Sequence, residues 1–315
     1  MRVSILIEGQ EDVTWEDWLA LAETCERGGI ETMFRSDHYL SVVGRHERGS
    51  LDAWGTISAL AAVMPRLRLG TLVSPVTFRH PSVLAKAAVT ADAISGGGRI
   101  ELGLGTGWLE DEHAAYGFPF PATGERMRML EQQIEIVRRE WSESDLSFEG
   151  EHYRLDGLDA LPKPSRPPNL IVGGRARARS AALAVRWADE YNLVSMGLEE
   201  CRERRRELVE ACERAGREPL TVSLMTGSLI GADEADLAGR ARRLAELQGE
   251  DARDPAAYLA GLPDHWIVGT LEAVRERLAE LENAGVERVM LQYLPHRDLD
   301  GVRVIAEIEP CRAAS

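Results

Sequence analysis

The chain has 315 residues, 44% hydrophobic and 28% charged, with a formal net charge of -15. That much apolar material can fill a large core, and the length suits one α/β barrel. So acidic a surface repels nucleic acid and anionic membranes, and no apolar run approaches the roughly 20 residues of a membrane span, so the expected partner is a small molecule.

The opening MRVSILIEG is already strand-like and leaves no room for a secretory signal, which points to a cytoplasmic protein. Eight β-rich runs follow one another along the chain: 2–7, 31–36, 67–73, 99–105, 169–174, 190–195, 220–227 and 287–293. Amphipathic stretches lie between them, among them 15–29, 125–141 and 271–285, the last with apolar residues at 271, 274, 278 and 281 and Gly285 as a stop. Strands that each lead into a helix predict a TIM (β/α)8 barrel as a single domain over 1–315. A doubly wound open sheet is the rival, but it usually carries a phosphate-binding glycine loop after its first strand, where this chain has Glu8-Gly9-Gln10.

Two intervals interrupt the rhythm and are read as insertions. The first, near 105–168, holds a loop, a helix, the hairpin-like LSFEGEHYRL and the Pro-rich LPKPSRPP; the second, near 228–265, is polar and helical. Between them RERRRELVEACERAG (202–216) reads as a solvated helix face. Cys25, Cys201, Cys212 and Cys311 form no CxxC pair and read as reduced helix filler.

In a barrel the polar residues at the strands' C-terminal ends face the site. Strand one offers Glu8 and Gln10, strand two Ser36, Asp37 and His38, strand three Ser74, and strand four Thr106, Gly107 and Trp108. A histidine with an ordinary pKa of about 6.5 can exchange a proton near neutrality, although an Asp-His dipeptide by itself is more often structural. IVGGRARARS (171–180) is a strand, two glycines and an Arg-rich helix start; it reads as an anion site at Gly173, Gly174 and Arg175, or else as a plain strand-to-helix turn. GLGTGW (103–108) does not fit GxGxxG and implies either something bulky close to the backbone or a tight turn. No HExxH, Cys/His spacing or GxSxG is present, so no metal or serine-triad chemistry is expected, and Lys86 reads as a structural helix residue.

Taken together, RSDHYLS, the segment 66–108, EHAAYGFPFP (112–121), 170–192 and 268–292 resemble the bacterial luciferase-like flavin and deazaflavin oxidoreductases, most closely the branch that uses coenzyme F420. The resemblance implies a TIM-like barrel with insertions, a homodimer, and F420 or, alternatively, FMN as cofactor. It implies that hydride passes between the deazaflavin C5 and a small organic substrate. His38 would be the proton donor or acceptor, and Asp37 would anchor the cofactor or tune His38. It also implies a bulge with a non-prolyl cis peptide at Leu72-Val73-Ser74 behind the ring. Thr106 and Gly107 would contact the cofactor's chain, and Gly173, Gly174 and Arg175 its phosphate. The sugar-phosphate dehydrogenases of the family carry Trp shortly after the Asp-His pair and Glu after Gly-Thr-Gly. Here Val42 and Trp108 fall near those positions, which argues against glucose 6-phosphate and makes Trp108 a more apolar substrate wall. Two further readings stand beside this one: monooxygenation with reduced FMN and O₂, and a barrel that binds flavin without catalysis.

Overall fold

The computed structural model describes residues 1–45, 47–250 and 252–308. In chain order the strands are β1 (Arg2–Ile7), β2 (Thr32–Arg35), β3 (Arg68–Pro75), β4 (Ile100–Gly105), β5 (Leu146–Glu149), β6 (Arg154–Leu158), β7 (Asn169–Gly174), β8 (Glu190–Val194), β9 (Thr221–Gly231), β10 (Ile267–Thr270) and β11 (Arg288–Tyr293). The parallel order β9-β11-β1-β2-β3-β4-β7-β8 closes on itself through the β8–β9 pairing, which is the expected eight-stranded barrel. Parallel barrel strands are covered on both faces, and β1 shows why a near-continuous apolar run suits them: from Val3 to Ile7 every residue is buried. Outside, the helices turn their apolar stripe inward. In helix Trp15–Gly28 the residues Trp18, Leu21, Ala22 and Cys25 are buried, and Thr14 with Asp17 closes a capping box at its start.

The barrel interior is layered. At the strands' N-terminal ends the buried guanidinium of Arg288 reaches Glu101 at 2.7 Å and Glu190 at 3.3 Å and donates to the Ser4 hydroxyl at 3.0 Å, while Asn169 donates to both carboxylates. Arg288 and its hydrogen bonds hold the Glu101 carboxyl below the usual range despite burial, whereas Glu190 is pushed up by burial that Arg288 offsets only in part. Above this layer Leu6, Phe34, Leu72, Ile171 and Met290 form an apolar plug. The site lies above the plug, at the C-terminal ends.

The β3–β4 register slips between Thr71 and Ser74, and the Leu72–Val73 peptide is cis, matching the bulge the resemblance implied. This explains Gly103 and Gly105 of GLGTGW, and Gly173 on β7. A Cβ at Gly103 would lie 2.4 Å from the Thr71 carbonyl, one at Gly105 2.6 Å from Val73, and one at Gly173 2.9 Å from Val73. The bulky group expected near that backbone is the protein's own Val73 side chain.

The first insertion holds two helices, Glu110–Tyr116 and Thr123–Ser142, and the antiparallel β5–β6 hairpin. The second opens later than expected. β9 continues through Gly231 because its last residues pair with β10, a strand the sequence reading did not find. Helices Glu234–Gln248 and Pro255–Ala260 follow. Helix Leu198–Arg214 exposes its charges and buries Cys201, Leu208 and Cys212. Burial pushes the Cys25 thiol up to about 12 and the Cys201 thiol to about 11, so both are inert. Cys311 lies outside the described residues. No helix among the described residues is long and apolar enough to cross a membrane.

Candidate active site

A cavity of about 380 Å³ opens at the top of the barrel. His38, Leu72, Val73, Thr106, Gly107, Trp108, Gly173, Gly174 and Arg175 all line it, so one space brings together most of the residues singled out in the sequence. Glu8 and Ser36 join them from β1 and β2, and Asn192, Val194, Met225 and Gln292 come from strands to which no site role was assigned. A larger open groove of about 1310 Å³ between helices Ala178–Trp187 and Leu198–Arg214 lies outside the barrel and holds none of the strand-end residues apart from the turn after β7.

Asp37 and Ser74 differ from expectation, for neither lines the cavity. Ser74 donates to Asp37 Oδ2 at 2.6 Å and accepts from the Trp54 indole at 3.2 Å. The same Asp37 oxygen accepts from Arg79 at 2.5 Å, and Arg79 continues to Tyr39 and Asp52. Asp37 is 1% exposed, not open to the site. The bulge is the physical reason: it turns Leu72, Val73 and Pro75 toward the cavity and leaves Ser74 facing back between β3 and β2. Asp37 and Ser74 therefore form a buried brace behind the wall.

His38 has a partner that the sequence reading missed. Its Nδ1 lies 2.9 Å from Glu112 Oε2, in the first turn of helix Glu110–Tyr116. The other Glu112 oxygen accepts the backbone N–H of Leu40 at 3.1 Å and that of Tyr39. Burial by itself would lower the His38 pKa. The Glu112 hydrogen bond and charge outweigh it, with help from Glu8 and Asp37, and the net shift is upward. Glu112 is held below its ordinary value by His38 and the two backbone donors, despite burial. With Nδ1 committed to a carboxylate, Nε2 is the ring nitrogen left for the cavity. The Trp108 indole meets the imidazole edge-on at 5.7 Å between centroids.

Strand one supplies a second fixed group. Glu8 accepts from Gln10 at 2.7 Å and from Gln292 at 2.5 Å, and Ser36 donates to Gln10 at 2.6 Å. This chain of hydrogen bonds holds a carboxylate on the His38 side of the cavity.

On the opposite side, after β7, helix Ala178–Trp187 begins without a side-chain cap. Arg175 is paired with Glu200 at 2.9 Å and Arg179 with Glu131 at 2.6 Å, while Arg177 has no carboxylate partner among the described residues. The open helix start and the backbone of Gly173-Gly174, with Arg175 beside them in the cavity lining, are the groups able to meet a phosphate there. Lys86 donates to the Leu161 carbonyl at 2.8 Å, outside the cavity. Among the described residues no group of His, Cys, Asp or Glu could hold a metal ion.

The residues present fit a flavin-type ring. Leu72, Val73, Val194 and Met225 make an apolar floor. Asn192 has its Nδ2 bonded to Ser223, whereas its buried Oδ1 has no partner, an acceptor that an N–H on the ring's polar edge would satisfy.

A sequence profile of the family described as luciferase-like monooxygenase matches residues 1–288. The F420-dependent glucose-6-phosphate dehydrogenase of Amycolatopsis mediterranei (strain U-32) is 32% identical over 174 residues, 53% of this chain and 51% of that protein. The chain thus spans about half the length of the curated relatives it matches. Among solved structures, the monooxygenase RslO1 from Streptomyces bottropensis superposes with a TM-score of 0.78 at 25% identity, covering 98% of both chains. An F420-dependent secondary alcohol dehydrogenase, solved with an F420-acetone adduct, superposes with a TM-score of 0.81 at 18% identity, covering 98% of both; this second likeness is one of fold.

Proposed function

The chain belongs to the luciferase-like monooxygenase family, and within that family we propose that it is a coenzyme F420-dependent oxidoreductase moving a hydride between the deazaflavin and a small organic substrate. The observation that carries this reading is the His38–Glu112 pair beside an apolar floor at the top of the barrel. Relatives named as F420-dependent dehydrogenases support the choice of cofactor.

Bound in the cavity, the deazaflavin supplies the hydride acceptor or donor. Leu72, Val73, Val194 and Met225 would support its ring, Asn192 its polar edge, Thr106 and Gly107 its chain, and Gly173, Gly174 and Arg175 its phosphate. His38 handles the proton. In its neutral form Nδ1–H donates to Glu112, and the Nε2 lone pair accepts the hydroxyl proton of a substrate being oxidised; the resulting imidazolium is stabilised by the Glu112 carboxylate. In the opposite direction the protonated ring donates from Nε2 to a carbonyl oxygen. Asp37 acts at a remove, through the Ser74–Arg79 brace.

The test is His38→Ala: turnover with F420 should fall about 10²–10⁴-fold, the usual worth of a positioned acid–base group, while F420 binding persists. Unchanged turnover would remove His38 from the chemistry. The second reading, an FMN-dependent monooxygenase, is favoured by the likeness to RslO1 over nearly the whole chain. It requires FMN to bind where F420 does not.

A further inference from the structure

Charge is sparsely placed around the cavity. Apart from His38, the charged residues lining it are Glu8 and Arg175. Glu8 is on the His38 side, is 7% exposed, and has one oxygen bonded to Gln10 and the other to Gln292, so its position is fixed. Arg175 is across the barrel after β7 and is already paired with Glu200. Beneath His38 stands a second carboxylate, Glu112.

A phosphorylated substrate presenting a hydroxyl to His38 would therefore meet a fixed carboxylate and find, among the described residues, no lysine or arginine in the cavity lining on that side. The two arginines of the neighbouring loop are engaged elsewhere. Arg48 is bonded to Glu11 and to the Leu247 carbonyl, and Arg45 is paired with Glu47. Desolvating a phosphate without a counter-charge is strongly unfavourable. The surfaces next to the imidazole are apolar instead. The 61% exposed indole of Trp108 sits edge-on to the His38 ring, and Val42 lines the same cavity. A large exposed aromatic at a cavity mouth is a ready contact for a flat or cyclic hydrocarbon body.

Resting on the F420 reading above, we infer that the substrate is an uncharged alcohol or carbonyl compound carried on an aromatic or alicyclic body, and not a sugar phosphate. Its one polar group meets His38 Nε2, and its body lies against Trp108 and Val42. Oxidation removes a hydride from the carbinol carbon to oxidised F420 and the hydroxyl proton to His38, leaving the carbonyl; reduction reverses both transfers.

The experiment separates this inference from the reading it rests on. F420 binding is first measured by quenching of the coenzyme's own fluorescence; no binding overturns the cofactor reading and the inference with it. With F420 bound, acetophenone, cyclohexanone and glucose 6-phosphate are titrated by calorimetry. Saturable binding of either ketone at least tenfold tighter than glucose 6-phosphate is expected. Trp108→Ala should weaken ketone binding at least tenfold while F420 affinity changes less than threefold. Glucose 6-phosphate binding as tightly as the ketones, no binding of either ketone, or a Trp108→Ala variant that binds them unchanged, would overturn the inference while leaving the F420 assignment intact.

Discussion

Glu112 holds Nδ1 of His38 at 2.9 Å across 74 positions of sequence, and the same carboxylate ties down the backbone of the two residues that follow His38. One side chain from the first insertion thus sets the ring's orientation, its tautomer and its affinity for a proton.

Replacing that carboxylate isolates the charge effect. In Glu112→Gln the amide oxygen can still accept from Nδ1–H, but the imidazolium loses its counter-ion. The His38 pKa, raised in the native protein by the Glu112 hydrogen bond and charge against the opposing effect of burial, should fall. In substrate oxidation the rate rises with pH as His38 deprotonates, so the rising limb of kcat/KM moves to lower pH in the variant. An unmoved limb would mean that another group titrates.

The same pair has a pH window in stability. The raised His38 value contributes fully below the unfolded pKa and is lost as pH rises through the folded one; the depressed Glu112 value contributes above the unfolded carboxylate pKa and is lost as pH falls through its folded one. The Tm difference between wild type and Glu112→Gln should be greatest at about pH 5–6, between the ordinary Glu and His values, and shrink at about pH 9. Thermal melts at three pH values check this.

Asp37 is predicted to matter for folding more than for chemistry. Asp37→Asn removes the charge facing Arg79 behind the cavity wall and should cost about 3–5 kcal/mol, as for a broken buried ion pair. F420 affinity should change less than threefold. A large loss of affinity at unchanged Tm would bring Asp37 into the site after all.

The fit of Val73 among glycines can be tested by a double-mutant cycle. Gly173→Ala places a methyl 2.9 Å from Val73 Cγ1 and should cost about 1–3 kcal/mol. In a Val73→Ala background the clashing methyl is gone, and the cost of Gly173→Ala should drop by at least about 1 kcal/mol. Simple additivity in denaturant unfolding would contradict the packing described.

At the barrel's other end, Arg288→Met leaves Glu190 buried without its cation and Glu101 with Arg68 alone, and should destabilise by about 3–5 kcal/mol. Adding Glu101→Gln and Glu190→Gln should recover part of that loss. Urea midpoints provide the comparison.

Much of this architecture was legible in the sequence. β1 and β7 were read to the residue because apolar, β-branched runs end at clear turn residues. β10 was not, since Ile267–Thr270 merges directly into helix Leu271–Asn283 and only its pairing with the end of β9 identifies it. Glu112 stayed hidden for a different reason: it is the third acid in Glu110-Asp111-Glu112, a run that reads as a solvated helix start, and nothing local shows that only the last of them turns inward to His38. Standing at strand C-terminal ends, where polar residues of a barrel face the site, Asp37 and Ser74 read as site-facing; nothing in the sequence shows that they bond to each other behind the wall instead.

The central claim, that this barrel uses a deazaflavin, is tested most directly by titrating the purified protein with F420 and with FMN under identical conditions. The account predicts saturable quenching of F420 fluorescence that equimolar FMN does not reverse, in wild type and in His38→Ala alike. Tight FMN binding with no quenching of F420 would contradict it.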